Sequence, residues 1–199
     1  MPSDASYQTR DVQHFERWSH SYENSWMQRR LFTRVHGAVL DLAAPLPPPA
    51  SVLDVGCGTG RLLRAAAIRW PDSRLIGVDP AQGMVEGAQH LTPGATIHRG
   101  LAESLPLPDA SVDLVFSTLS FHHWHDQAAG VREIARVLRP GGHFILADFA
   151  PPRMLAWLSF RRGGLPAIAR VRLFTSAALR IERQQTVVYP FILATLAAR

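Results

Sequence analysis

The chain has 199 residues, 47% hydrophobic and 19% charged, with one cysteine and a formal net charge of +5. It is too apolar and too weakly charged for a disordered chain, and long enough to bury a single core. A lone Cys57 excludes an internal disulfide framework and fits a reducing compartment. The start, Met1 to Ser6, lacks the charged and apolar regions of a signal peptide. The uncharged run from Gln184 to Ala198 is too short and too polar to cross a membrane, so a cytoplasmic location is expected.

The basic balance suggests a nucleic-acid partner until its placement is examined. All 21 basic residues are arginine. Residues 1–148 carry a net charge of −2, whereas residues 149–199 carry +7. The positive excess therefore belongs to the last quarter of the chain, and the missing lysine fits a base-composition bias.

In chain order, Phe15, Trp18, Tyr22 and Trp26 fall on one helical face, and Leu31, Val35, Ala38, Val39 and Leu42 continue one. The proline cluster from Pro45 to Pro49 ends it and forms a stiff connector. A short apolar strand over 51–55 follows, then a helix over 61–70 closed by Pro71, and a strand over 74–78 ending at Asp79. Residues 81–90 read as a helix weakened by Gly83 and Gly87, each costing about 1 kcal/mol against Ala. Strands are expected at 96–98 and 111–118. A helix with Val131, Ile134, Ala135 and Leu138 on its buried face is expected to end at Pro140-Gly141-Gly142, before a strand at 143–149. Residues 165–179 suggest a last helix, and 180–188 and 191–197 two strands meeting at Tyr189-Pro190 as an antiparallel edge. Strands alternating with helices predict a parallel sheet covered on both faces.

The strongest motif runs from Val52 to Gly60: a buried strand enters three glycines spaced two apart and passes directly into a helix. Glycine permits the tight turn and the close approach of a ligand, and the helix start offers free N–H groups. Asp79 ends the next strand, where an acid can accept both hydroxyls of a ribose. A dinucleotide fingerprint counted from Gly56 and Gly58 would need glycine where Arg61 stands. A P-loop lacks its lysine. Asp54, two residues before Gly56, suits instead a nucleoside with an amino-acid tail, its ammonium on Asp54 and its carboxylate on the loop amides.

Five motifs in order resemble the class I S-adenosylmethionine-dependent methyltransferases, in the branch of the ubiquinone/menaquinone-biosynthesis C-methyltransferases. They are Asp54–Gly60, Gly77–Pro80 with Met84, Glu103–Asp109, Ser111–Ser117 and Arg136–Gly142. The resemblance implies a Rossmann-like α/β fold: a doubly wound, mostly parallel seven-stranded sheet with an antiparallel edge strand and helices on both faces. It implies one domain over 1–199, with an N-terminal helical cap at 1–44, a cofactor-binding core at 51–149, and a substrate cover with C-terminal strands at 150–199.

The resemblance also implies S-adenosyl-L-methionine as cofactor. Gly56, Gly58 and Gly60 would line its methionine and ribose, with Asp54 nearby, and Asp79 would take the ribose hydroxyls. Met84 would pack on the adenine, Leu101, Ala102 and Glu103 would meet its edge, Ser117 would meet the methionine portion, and Tyr22 would close over the whole. The family usually has Asp where Leu101 stands, so one acceptor for the adenine amine is missing unless Glu103 replaces it.

The run Phe121-His122-His123-Trp124-His125 lies beside the end of the fourth strand, where such folds bind ligands. Its spacing matches no metal site and no cysteine supports one, so no metal is expected. His122 or His123 as general base or substrate-positioning group stands beside a structural role as the open alternative. Methyl transfer from a sulfonium needs mainly proximity and orientation, and a base only where the acceptor must lose a proton.

In the last quarter, Arg153, Arg161, Arg162, Arg170 and Arg172 alternate with Met154, Leu155, Trp157, Leu158 and Phe160. A basic, aromatic cover of this kind suits an anionic or lipid-like substrate or peripheral contact with an anionic membrane. Ser117-Thr118-Leu119-Ser120 stands where many base N-methyltransferases carry an Asn/Asp-Pro-Pro-Tyr motif, which argues against nucleic acid. The expected activity is methyl transfer to a small molecule, a quinone precursor or lipid-like compound. The alternatives are a cofactor-binding protein without transferase activity and a nucleic-acid methyltransferase.

Overall fold

The computed structural model describes residues 26–150, 166–188 and 191–199. Tyr22, the aromatic face before Trp26, the Arg153–Arg162 stretch and the Tyr189-Pro190 junction lie outside the described residues.

Seven strands form one sheet: β1 (Ser51–Val55), β2 (Arg74–Asp79), β3 (Ala95–Arg99), β4 (Val112–Thr118), β5 (Leu138–Phe149), β6 (Arg180–Val188) and β7 (Ile192–Ala198). Their order is β3-β2-β1-β4-β5-β7-β6. The first five pair in parallel, and β7 pairs antiparallel with both β5 and β6. All five residues of β1 are buried, as expected of a central strand covered on both faces.

Alternate residues divide the core into two layers. On one face Val52, Leu114, Phe116 and Ile145 pack against α1 (Trp26–Ala43), α2 (Arg61–Arg69) and α3 (Gln82–Leu91) through Val39, Leu63 and Ala88. On the other, Leu53, Val55, Val115, Phe144 and Leu146 meet α4 (Gln127–Val137) and α5 (Ala167–Ser176) through Ile134 and Phe174. α3 forms despite its two glycines because Met84, Val85 and Ala88 bury one face. Gly87 in fact lets the helix approach: a Cβ there would stand 3.3 Å from the Thr59 methyl.

Two expected boundaries move. α4 begins at an Asp126 cap, whose side chain accepts from the Ala129 N–H at 2.9 Å. It ends at Val137, and Pro140, Gly141 and Gly142 lie within β5, next to a register shift against β4. The segment that should merely stop a helix is a bent strand entry. Arg170, expected on a basic surface, is fully buried in α5.

Candidate active site

Strand order reverses between β1 and β4, and the chain's cleft opens outside the carboxyl ends of β1, β2 and β4, where such sheets bind ligands. Its floor is the loop from Val55 to Thr59. Gly56, Gly58 and Gly60 have φ of 76°, 53° and 78°, a left-handed region that costs other residues about 1–2 kcal/mol each.

The three glycines do different work. A Cβ on Gly56 would stand 2.2 Å from Ser120 Oγ, so this glycine lets the turn after β4 close on the loop after β1. Gly58 lines the cleft with nothing within 4 Å of where its Cβ would stand, leaving room for a ligand. Gly60 is not among the lining residues, contrary to the expectation. Its N–H donates to the Cys57 carbonyl at 2.9 Å and its Cα packs against Thr92, making it the turn into α2.

Two buried acids face the loop. Asp79 Oδ2 accepts the Gly58 N–H at 2.9 Å and Oδ1 accepts the Ala81 N–H at 3.0 Å, so the carboxylate braces the glycine loop. Each oxygen retains a further lone pair for a ligand hydroxyl. Burial nonetheless outweighs these bonds and pushes the Asp79 pKa up to about 6. Asp54, 2% exposed, lines the cleft with an Oδ1 that has no hydrogen-bond partner among the described residues. Burial first, and the neighbouring Asp79 charge second, push its pKa up to about 8. A buried, unpartnered acid is costly unless a cationic ligand group completes it.

Met84, buried on α3, joins Leu101, Ala102 and Glu103 at the end of the cleft beside β2 and β3. Leu101 is 39% exposed and offers no acceptor. Glu103 does not supply the missing one freely, because its Oε1 accepts the Asp126 N–H at 3.1 Å at the start of α4. Trp124 forms the facing wall, lying over Gly130, where a Cβ would come within 2.5 Å of its ring.

Ser117 is fully buried and does not line the cleft. Leu119 adopts φ 52°, turning the chain back at the end of β4 and presenting Ser120 instead. The Ser120 hydroxyl lies 3.0 Å from Ser117 Oγ, donates to the Val55 carbonyl at 3.0 Å and accepts from Trp124 Nε1 at 3.3 Å. The hydroxyl at the cleft is therefore three residues later than expected.

At the other end, α1 contributes Phe32 and His36, rings 5.7 Å apart, beside Thr118 and His123. His36 Nε2 lies 3.3 Å from Thr118 Oγ1. Burial, then Arg61 and Arg64, lower its pKa to about 4, so it is neutral at physiological pH. Of the two histidines expected at the site, His123 lines the cleft, whereas His122 stands behind it with Nδ1 2.8 Å from Asp148 Oδ1. No group of three metal-ligating side chains occurs among the described residues.

Sequence reasoning missed Phe32, His36 and Ser120, and named Trp124 only as part of the Phe121–His125 run.

Residues 53–146 match the family described as Methyltransferase domain. The chain is 34% identical over 182 residues to a Mycolicibacterium smegmatis protein named "Probable S-adenosylmethionine-dependent methyltransferase", covering 89% of this chain and 68% of that one. The chain belongs to the S-adenosylmethionine-dependent methyltransferases. It is also 37% identical over 140 residues to a malonyl-[acyl-carrier protein] O-methyltransferase of Dechloromonas aromatica, covering 70% of this chain and 50% of that protein. It spans about half the length of the several relatives of that name that it matches. A solved SAM-dependent methyltransferase from Aquifex aeolicus shares the fold, with a TM-score of 0.66 at 19% identity over 79% of this chain and 87% of that one.

The residues fit the family's cofactor, S-adenosylmethionine. The orphaned Asp54 oxygen suits an ammonium, the open Gly58 position leaves space for the chain that bears it, and Asp79 suits a ribose.

Proposed function

We propose that this methyltransferase transfers a methyl group from S-adenosylmethionine to a small-molecule acceptor of lipid-like or quinone-precursor type. The observation that carries the reading is the unpartnered Asp54 oxygen beside Asp79 across an open glycine loop. Asp54 holds the ammonium, and Asp79 takes the ribose hydroxyls while its amide bonds keep the loop in shape. Met84 and Trp124 bound the adenine, and Leu101 leaves its amine to solvent. When bound, the cofactor supplies an activated methyl on a sulfonium.

The acceptor end lies toward Phe32, His36, Thr118 and His123. His36, neutral through burial, adds no positive charge beside a sulfonium. Phe32 and Leu119, which line that end, give it apolar surface suited to a lipid-like acceptor.

Calorimetry with S-adenosylmethionine, S-adenosylhomocysteine and NAD tests the first half: the first two bind and NAD does not. Methyl-labelled cofactor incubated with fractionated cell extract tests the second. Label in small-molecule or lipid fractions supports the reading. Label in RNA or protein, or binding without any transfer, refutes it.

A further inference from the structure

The cleft carries one fixed positive charge that neither the fold nor the cofactor reading explains. Arg61 opens α2 directly after Gly60 and, among the described residues, is the one arginine that lines the cleft. A cation in the first turn of a helix opposes the helix dipole, and no acid stands in that turn to offset it. The partly buried Arg61 side chain makes no hydrogen bond or ion pair among the described residues. Arg64, one turn on, is by contrast anchored: its Nη1 donates to the Thr59 carbonyl at 2.7 Å and to Thr92 Oγ1 at 3.4 Å.

The three acids that line the cleft are engaged elsewhere. Asp79 accepts two loop N–H groups, Glu103 accepts the Asp126 N–H, and Asp54 faces the ammonium on the reading above. Arg61 belongs instead to the side of α1. Burial first, and the Arg61 charge second, lower the pKa of His36, whose Nε2 lies 3.3 Å from Thr118 Oγ1 at the end of β4. Phe32 and Leu119 give the same end its apolar surface. A partly buried, unpaired cation is costly there unless a ligand supplies the counter-charge. A guanidinium offers a rigid fork of donors that takes anionic oxygens two at a time. The arginines of the last quarter do not fill this role: Arg170 donates to the Phe149 and Leu193 carbonyls, and Arg172 does not line the cleft.

We propose that Arg61 selects the acceptor, and that the acceptor is an organic acid with an apolar body. Its anionic oxygens pair with the guanidinium while its body lies against Phe32 and Leu119. The inference rests on the methyl-transfer reading above and names the class of acceptor within it. Anion recognition thereby moves from the arginine-rich tail, where composition pointed, to the first turn after the glycine loop.

The test uses the full chain, methyl-labelled cofactor, and the small-molecule and lipid fractions of a cell extract separated on an anion exchanger into acidic and neutral compounds. Label should enter the acidic compounds and not the neutral ones. Arg61→Met should lower incorporation about 10–100-fold at limiting acceptor, the range for a charge-assisted pair left unmade, and added acceptor should recover it. Arg61→Lys should recover part of the loss, because the charge returns without the fork. By calorimetry both variants should bind S-adenosylhomocysteine within threefold of wild type, which also shows them folded. Label confined to neutral compounds overturns the inference alone. So do undiminished incorporation by Arg61→Met and a loss that neither Arg61→Lys nor added acceptor relieves. It is overturned too if Arg61→Met weakens S-adenosylhomocysteine about tenfold or more but binds the decarboxylated analogue as wild type does. Arg61 would then hold the carboxylate of the cofactor itself. No incorporation by the wild type into either class despite cofactor binding overturns the methyl-transfer reading and this inference with it.

Discussion

At the cofactor end of the cleft, Asp54, the glycine loop, Asp79 and the Leu101–Glu103 turn come from the ends of β1, β2 and β3, joined by short connections and braced by backbone amides. At the other end, the cleft is lined from α1 and the turn after β4, with the end of β5 and α5 packed behind. They are held to one another by side chains: His36 to Thr118, His122 to Asp148, and Arg170 to the carbonyls of Phe149 and Leu193. The contrast fits a common donor and varying acceptors. On the proposed reading, the part that would take the shared cofactor is built into the turns of the sheet, and the part that would take the acceptor is assembled from separable segments. The two halves touch at Gly56 and Ser120, where the loop after β1 meets the turn after β4.

Breaking that junction should have the largest effect. Gly56→Ala forces a side chain into a left-handed turn and against Ser120. The two costs together should lower stability by about 2–5 kcal/mol in thermal or denaturant unfolding. Asp79→Ala removes both the loop brace and the ribose acceptor, and should weaken S-adenosylhomocysteine binding about 100-fold by calorimetry. On the other side, Arg170→Met removes a donor from two part-buried carbonyls and leaves Asp148 without its facing charge. It should cost about 2 kcal/mol of stability while leaving S-adenosylhomocysteine affinity within threefold, if the two halves are as separate as their construction suggests.

Protons distinguish the halves more gently. Asp54 at about 8 and Asp79 at about 6 both lie above the ordinary value of 3.8, so the folded protein holds protons that the unfolded chain has released. The ligand-free protein should therefore lose stability as pH rises from about 4 through 8, with the upper part of that loss removed by Asp54→Asn. Cofactor binding should run the other way, weakening as pH falls below 8 because the ammonium needs the ionised acid. Parallel melting and calorimetry between pH 5 and 9 check both signs. The smallest effect is expected for Leu101→Asp. Restoring the missing adenine acceptor should tighten S-adenosylhomocysteine by about 1 kcal/mol.

The elements of the sheet were legible because their signals are local. The apolar run of β1, the glycines after it, Asp79 at the end of β2 and the Val131, Ile134 and Ala135 face of α4 each depend on residues a few positions apart and lie where their patterns predict. Leu138, expected on that face, instead opens β5. The residues that the structure sets apart from the cleft lining, or ties up elsewhere, follow a physical pattern. The resemblance implied Ser117 at the methionine portion, but beyond the left-handed Leu119 it is Ser120 that lines the cleft. Gly60 belongs to the motif but serves the helix start, and Glu103 is taken by the cap of α4.

The +5 charge belongs to the same lesson. Its composition pointed to a basic cover, yet Arg170 is buried and acts as an internal counter-charge rather than a surface one. By itself the sequence determined the cofactor half, because a tight turn before a helix and an acid at a strand end are properties of short segments. Only the tertiary structure decided the acceptor half. It joined His36 to Thr118 across 82 positions and His122 to Asp148 across 26, and pairing at such separations is set by how the sheet and its helices pack.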